Sequence, residues 1–143
     1  MKNIPIVVIL LMVISGCDLL SDSYSELSTS VEIHSGTVER LSDIEATFEI
    51  LNNTGETVSF GFPSSCQFGY TLSKDEEIIM DSREEQACLA VVTSLDIQNG
   101  NKKVFQLTIP FDNELEPGFY KLSAFLLEGY TAPVSETFTV DQN

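Results

Sequence analysis

Apolar and polar residues alternate with a period of two along most of this chain. In TSVEIHSGTVE, Val31 and Ile33 fall on one face, while Glu32 and His34 fall on the other. Such alternation is typical of β-strands with one buried face, because successive side chains of a strand point to opposite sides. The segment IEATFEIL predicts a longer strand whose inward residues are Ile44, Ala46, Phe48 and Ile50.

Further alternating segments follow, separated by short polar turns. NNTGE predicts a hairpin turn, SKDEE a polar turn before the short strand IIM, and NGNK another turn. FYKLSAFLL is the longest and most apolar strand candidate, and the last is VSETFTV. The residues predicted to face inward in these later strands are Val58, Phe60, Phe62, Phe68, Tyr70, Leu72, Phe105, Leu107, Ile109, Val134, Phe138 and Val140.

Two interpretations stay open for the segment before the NGNK turn. CLAVVTSLDIQ is apolar and rich in β-branched residues, which predicts a buried strand. Alternatively, SREEQACLAVV begins as a helical turn. No helix of ordinary length and no internal repeat is visible elsewhere. Strands of this number and spacing predict an all-β fold, an immunoglobulin-like antiparallel β-sandwich of about eight strands.

One local feature favours the immunoglobulin-like version of the sandwich. In PGFYKLSA, Tyr120 stands just inside a strand that follows a turn. A tyrosine corner occupies this position in such folds, with its hydroxyl bonded back to the preceding backbone. The alternative is an ordinary buried aromatic residue.

The first residues carry a different pattern. An apolar run from Ile4 to Ile14 is too short for a membrane-spanning helix and has the length of a signal-peptide core. The ISGC that ends it resembles a bacterial lipobox, with cleavage before Cys17 and a lipid anchor on its thiol. We therefore expect a lipoprotein signal peptide at 1–16, a Ser-rich tether at 17–28 and the sandwich at 29–143. This organisation predicts a location in the bacterial cell envelope, outside the cytoplasm.

Charge excludes one class of partner. Removing residues 1–16 takes away Lys2 and leaves six basic and twenty-two acidic residues, a net charge of 6 − 22 = −16. Such a surface repels phosphates, so nucleic acid is not an expected partner.

Cys66 and Cys88 are the cysteines that remain. A signal peptide indicates a compartment that permits disulfides, which favours a Cys66–Cys88 bridge. Two free thiols, one of them reactive, are the alternative. A zinc site would need four closely spaced ligands, and no such set is visible.

No catalytic or metal site is predicted. His34 is the only histidine and lies on the polar face of its strand, and no motif of a known hydrolase or phosphate-binding loop is present. The carboxylates cluster without the spacing of a calcium loop, which indicates solvated acidic turns. The two clusters are Asp75, Glu76, Glu77, Asp81, Glu84 and Glu85; and Asp112, Glu114 and Glu116. We expect no enzyme activity and no cofactor.

The stretch from Ala46 to Leu127 resembles the BsuPI family of proteinase inhibitors. The resemblance rests on four motifs: Asn52 to Thr54, Phe60 to Phe62, Ser64 to Phe68, and Pro117 to Tyr120. Met80 stands where family members carry a tryptophan, and the KDEE run replaces a hairpin glycine. The resemblance implies an immunoglobulin-like sandwich and proteinase inhibition.

The sequence thus predicts a lipid-anchored, non-enzymatic domain that binds a protein through its loops or an exposed sheet edge, and the family resemblance implies that this partner is a proteinase. The alternative is a structural or assembly module of an envelope complex without inhibitory activity.

Overall fold

The computed structural model describes residues 27–34, 37–38, 43–110 and 115–140. No helix within these ranges is long and apolar enough to cross a membrane. The described residues form ten strands, one short α-helix (α1) and one 3-10 helix. Their bounds are β1 Leu27–Ile33, β2 Thr37–Val38, β3 Ile44–Asn52, β4 Val58–Phe62, β5 Phe68–Lys74, β6 Glu77–Asp81, α1 Ser82–Glu85, β7 Thr93–Ile97, β8 Lys102–Ile109, β9 Gly118–Leu126, the 3-10 helix Leu127–Gly129 and β10 Val134–Val140.

The strands form two larger sheets and one separate pair. One sheet has the order β1-β3-β8, the other has the order β2-β10-β9-β5-β6, and β4 pairs with β7. All neighbours are antiparallel except β2 and β10, which are parallel. The predicted fold class, an antiparallel β-sandwich, is confirmed.

The core lies between the inward faces of the three-stranded and the five-stranded sheet. Phe48 is fully buried, and its ring stacks on Phe105 at a centroid distance of 6.0 Å. Across the sandwich, the ring of Phe68 on β5 lies 4.6 Å from that of Phe105 on β8. Alternation alone therefore identified the buried face of these strands, since a period of two places every second side chain in the core.

Tyr120 forms the predicted tyrosine corner. Its hydroxyl donates to the backbone oxygen of Glu116 at 2.7 Å, and only 2% of the residue is exposed. Burial raises the pKa of this phenol above its ordinary value. The bond joins the start of β9 to the residues that precede it, which supports the immunoglobulin-like interpretation.

Tyr120→Phe is expected to lower the free energy of unfolding by about 1 kcal/mol, because it removes this hydrogen bond and keeps the ring. Urea unfolding measures the difference. Phe119→Leu is the control at the adjacent exposed position, where a change within about 0.5 kcal/mol is expected. Equal effects of the two substitutions would show that the corner adds nothing to stability.

The predicted NNTGE hairpin is wrong. Strand β3 has β1 and β8 as neighbours, while β4 pairs with β7. Asn52 explains the difference, because its buried side chain ties the following residues into a bend. The amide nitrogen donates to the backbone oxygens of Glu56 and Ile97, both at 2.7 Å, and the amide oxygen accepts from the backbone and hydroxyl of Thr54.

The NGNK turn belongs to the same bend. The backbone nitrogen of Gly100 donates to the Asn52 oxygen at 2.7 Å, and the Asn52 nitrogen donates to the Asn101 oxygen at 3.0 Å. The two turns therefore form one shared corner. At this corner β3 continues into β4, and β7 continues into β8. Neither turn therefore joins two strands that pair with each other.

The SKDEE turn does form a hairpin, between β5 and β6. Its two central residues, Asp75 and Glu76, have φ angles of 50° and 69°. Two-residue hairpin loops require such positive φ angles, and Asn-Gly is the usual pair because it adopts them at low cost. The acidic pair is thus accommodated in the geometry for which a glycine is expected.

Candidate protein-binding loop

Residues 86–92 form a connection between α1 and β7, here called the 86–92 loop. The prediction that CLAVV belongs to a buried strand is wrong, since Leu89, Val91 and Val92 are 70%, 50% and 81% exposed. Strand β7 begins only at Thr93, which pairs with Phe62 at the end of β4. The next residue on the partner side is Pro63, which has no N–H group with which to continue the ladder.

The alternative interpretation, a helical turn at the start of this segment, is confirmed. Asp81 precedes α1, and its carboxylate accepts from the Arg83 backbone nitrogen at 3.0 Å. The Arg83 guanidinium also bonds to this carboxylate and holds its pKa below the ordinary value, against the opposing effect of burial. Asp81 therefore caps the turn that leads into the 86–92 loop.

Asp81→Ala is expected to lower the free energy of unfolding by about 1 kcal/mol at pH 7 through loss of this cap. Because the folded-state pKa of Asp81 lies below its unfolded value, the carboxylate stabilises the protein above about pH 4 and loses this effect as the pH falls through the folded pKa. Urea unfolding at pH 7 and at pH 2 should show the difference between parent and variant shrinking in acid. An equal difference at both values would contradict this role.

A disulfide holds the middle of the loop. Cys66 and Cys88 are joined with a Cα–Cα distance of 5.5 Å, the pairing that the sequence predicts. Cys88 is exposed within the loop, whereas Cys66 is half-buried in the segment between β4 and β5. The bridge fastens an exposed apolar segment to the sandwich.

Hydrogen bonds fasten the loop beside the disulfide. The Leu89 oxygen accepts from the Ser65 backbone nitrogen at 3.0 Å, and the Leu89 nitrogen donates to the Ser65 hydroxyl at 2.9 Å. A tight turn follows, in which the Val91 nitrogen donates to the Leu89 oxygen at 2.8 Å.

Hydrogen bonds also hold the far end of the loop, where β7 begins. The Thr93 hydroxyl donates to the Ser64 oxygen at 2.8 Å, and the Gln67 amide donates to the Thr93 hydroxyl and to the Ser94 oxygen. The loop is thus anchored on both sides, with its apolar side chains in solvent between the anchors. An exposed apolar surface of this kind marks an interaction site in soluble proteins.

A groove of about 460 Å³ lies on another part of the surface. Its lining includes Phe125, Leu127 and Pro133, with Arg83 above the Phe125 ring at 5.5 Å. The Arg83 guanidinium is already paired with the Asp81 carboxylate. The groove therefore presents an apolar wall beside a neutralised charge.

The other candidate residues that the structure describes have separate partners. His34 is exposed, as predicted, and its ring contacts the Thr47 hydroxyl at 2.7 Å and the Glu45 carboxylate at 3.8 Å. Glu116 pairs with Lys74, which lowers the pKa of the Glu116 carboxyl. Within the described residues, no three potential ligands gather in a way that suits a metal ion.

Some of the predicted features lie outside the described residues. Cys17, the signal peptide at 1–16 and most of the tether at 17–28 belong to the first twenty-six residues, and Asp112 and Glu114 lie in the undescribed stretch 111–114. The lipid anchor and the envelope location stay predictions.

Comparisons with known proteins identify the fold and a family. Residues 29–129 match the family model of BsuPI, described as an intracellular proteinase inhibitor. A comparison with curated proteins finds no match.

Two solved structures illustrate the fold. The β-glucosidase EmGH1 of Erythrobacter marinus is 8% identical, with a TM-score of 0.51 over 80% of this chain and 15% of its own. The alkylpurine DNA glycosylase AlkC of Pseudomonas fluorescens is 9% identical, with a TM-score of 0.50 over 80% of this chain and 30% of its own. This chain therefore corresponds to a minor part of each enzyme, and the likeness concerns the fold alone.

Proposed function

The chain belongs to the BsuPI family of intracellular proteinase inhibitors, and on this basis we propose that it binds and inhibits a proteinase through the 86–92 loop. The observation that carries the proposal is the exposed apolar segment Leu89, Val91 and Val92, anchored on both sides. A proteinase binds its substrate as an extended peptide in a cleft. A loop that presents such a segment already ordered loses little conformational entropy on binding.

Titration of the purified domain against a panel of serine proteinases tests this proposal. The expected result is a stoichiometric fall in the hydrolysis of a small substrate by at least one enzyme, while the domain stays intact on a gel. If no enzyme is slowed and the domain is itself digested, the protein is not an inhibitor of these enzymes.

We also propose that the domain acts outside the cytoplasm, tethered to the bacterial envelope by a lipid on Cys17. The support is the order of apolar run, small residues and cysteine in ISGC. Two or more acyl chains make such an anchor stable, since each buried methylene contributes about 0.8 kcal/mol. The family is described as an intracellular proteinase inhibitor, so a member anchored outside the cytoplasm would meet a different set of proteinases.

Mass spectrometry of the protein from membranes tests the anchor. We expect an amino-terminal peptide that begins at Cys17 and carries a diacylglycerol, and we expect Cys17→Ala to move the protein to the soluble fraction. An unmodified Cys17 in a membrane-bound protein would contradict the proposal.

A second candidate function is that of an assembly module without inhibitory activity. It is favoured by β6, an edge strand of the five-stranded sheet, on which Ile78 and Ile79 are 58% and 47% exposed. An exposed apolar edge can accept a strand from a partner. Crosslinking in cells distinguishes the two functions: a stable partner without proteinase activity, lost on Ile79→Lys, would favour the assembly module.

A further inference from the structure

We propose that Val92 is the residue that enters the specificity pocket, and that the target is a serine proteinase whose pocket is shallow and apolar. This inference rests on the proposed inhibitory function and makes it specific. It assigns the bond between Val92 and Thr93 to the catalytic centre of the enzyme. It gives the role to Val92 and not to Leu89, the other strongly exposed apolar residue of the loop.

The backbone of the loop carries the first argument. No hydrogen bond from the described residues reaches the backbone N–H or C=O groups of Ala90 or Val92. The backbone groups of Leu89, in contrast, are bonded to Ser65, and the Val91 nitrogen is bonded to the Leu89 oxygen. Within residues 89–92, the backbone N–H groups without a hydrogen bond are therefore those at alternate positions, 90 and 92.

This alternation matches what a proteinase cleft requires once the tight turn at Ala90 opens into an extended strand. A peptide that pairs with an enzyme as an added strand uses the backbone groups of every second residue and places alternate side chains in pockets. With Val92 in the specificity pocket, the groups that face the enzyme are those of Val92 and Ala90. With Leu89 in that pocket, the enzyme would have to displace both Ser65 bonds.

The side chains carry the second argument. Val92 is 81% exposed, more than Leu89 or any other large apolar residue among those that the structure describes. The specificity pocket is deep and acidic in trypsin, a hydrophobic slot in chymotrypsin and small in elastase. Residues 86–92 contain no lysine or arginine, and a short β-branched side chain fills a small apolar pocket without leaving a void.

The anchors beyond the scissile bond explain inhibition instead of digestion. In the acylation step the enzyme's serine oxygen bonds to the Val92 carbonyl carbon, and the Val92–Thr93 bond breaks. The Thr93 nitrogen then leaves as an amine, with the proton that the enzyme's histidine supplies. Thr93 pairs with Phe62, and its hydroxyl is bonded to Ser64 and Gln67. The amine therefore stays beside the ester and re-forms the peptide bond. The disulfide lies within the acylated fragment, since Cys66 and Cys88 both precede the cleaved bond, and it keeps the acylated end close to the segment that holds Thr93.

Substitution of Val92 tests the assignment with pancreatic elastase and trypsin. We expect the unmodified domain to inhibit elastase and not trypsin. We expect Val92→Arg to weaken elastase inhibition by at least about 100-fold and to create trypsin inhibition, since the pocket contact sets specificity. Phe119→Arg is the matched control at an exposed apolar position of β9. Its inhibition constant for elastase should stay within about threefold of the parent, and it should gain no trypsin inhibition. Because Val92 is exposed, the variant should fold, and its melting temperature checks this.

The outcomes separate the inference from the function on which it rests. If the domain inhibits elastase and Val92→Arg changes nothing, or if Leu89→Arg gains trypsin inhibition instead, the assignment of Val92 is wrong and the inhibitory function stands. If the domain inhibits only trypsin or only chymotrypsin, the pocket class is wrong. If it inhibits no proteinase, the proposed function itself fails.

Discussion

Replacing both Cys66 and Cys88 with serine is expected to lower the free energy of unfolding by about 3 kcal/mol and to weaken proteinase inhibition by at least about 10-fold. The stability change follows from the sequence separation of 22 between the cysteines, because without the bridge the unfolded chain gains the entropy that the closed loop removes. Inhibition weakens because the 86–92 loop then samples more conformations before it binds. Urea unfolding and titration of the inhibited enzyme measure the two effects.

The loss of stability and the loss of inhibition should both follow from the loss of the same disulfide. Cys17→Ser is the control, since the predicted bridge does not involve this residue, and we expect it to leave the stability and inhibition of the purified domain unchanged. A double variant that loses stability but inhibits as well as the parent would show that the proteinase contact lies elsewhere.

Asn52→Ala is expected to lower the free energy of unfolding by about 3 kcal/mol. The side chain is fully buried and satisfies four hydrogen-bond partners, so its truncation leaves the Ile97 oxygen without the Asn52 amide and opens the corner between the sheets. An unsatisfied buried polar group costs about 1–3 kcal/mol, and the lost bonds to Thr54 add to it.

Asn53→Ala is the matched control, because Asn53 is the next residue, has the same side chain and is exposed. We expect its effect on urea unfolding to stay within about 0.5 kcal/mol. Similar effects at positions 52 and 53 would show that the corner does not depend on the buried amide.

Alternation of side chains predicted the strands and their buried faces well. Ile44, Ala46, Phe48 and Ile50 are all fully buried, and Tyr120 makes the hydrogen bond expected of a tyrosine corner. Both results depend on local features, namely the two-residue period of a strand and the turn before a tyrosine. Local features of this kind are readable in a single sequence.

The corner at Asn52 was not predictable by the same reasoning. NNTGE has the composition of a hairpin turn, but the partner of Asn52 is the Ile97 carbonyl, forty-five residues away. Composition does not reveal a bond over such a separation. The two residues come together only in the folded sandwich, where β3 and β4 do not pair with each other.

The exposure of the 86–92 loop was not predicted, because its apolar residues are of the types that are common in buried strands. CLAVV has the β-branched content of a buried segment, yet its neighbour on the partner side is Pro63. Four successive apolar residues, 89–92, break the alternation and were the signal available in the sequence. The β4–β7 pairing that places Pro63 beside them is visible only in the structure. Residues that violate the pattern of the fold are often functional, which agrees with the role proposed for the loop.

Backbone hydrogen exchange of the domain, alone and in an equimolar mixture with the proteinase that it inhibits most strongly, tests the central claim directly. In the free domain, the amides of Ala90 and Val92 should exchange fast, since no hydrogen bond from the described residues protects them. The account predicts that both slow on complex formation, while the amides of β6 are unchanged. Fast exchange at Ala90 and Val92 in the complex, with protection confined to β6, would contradict it.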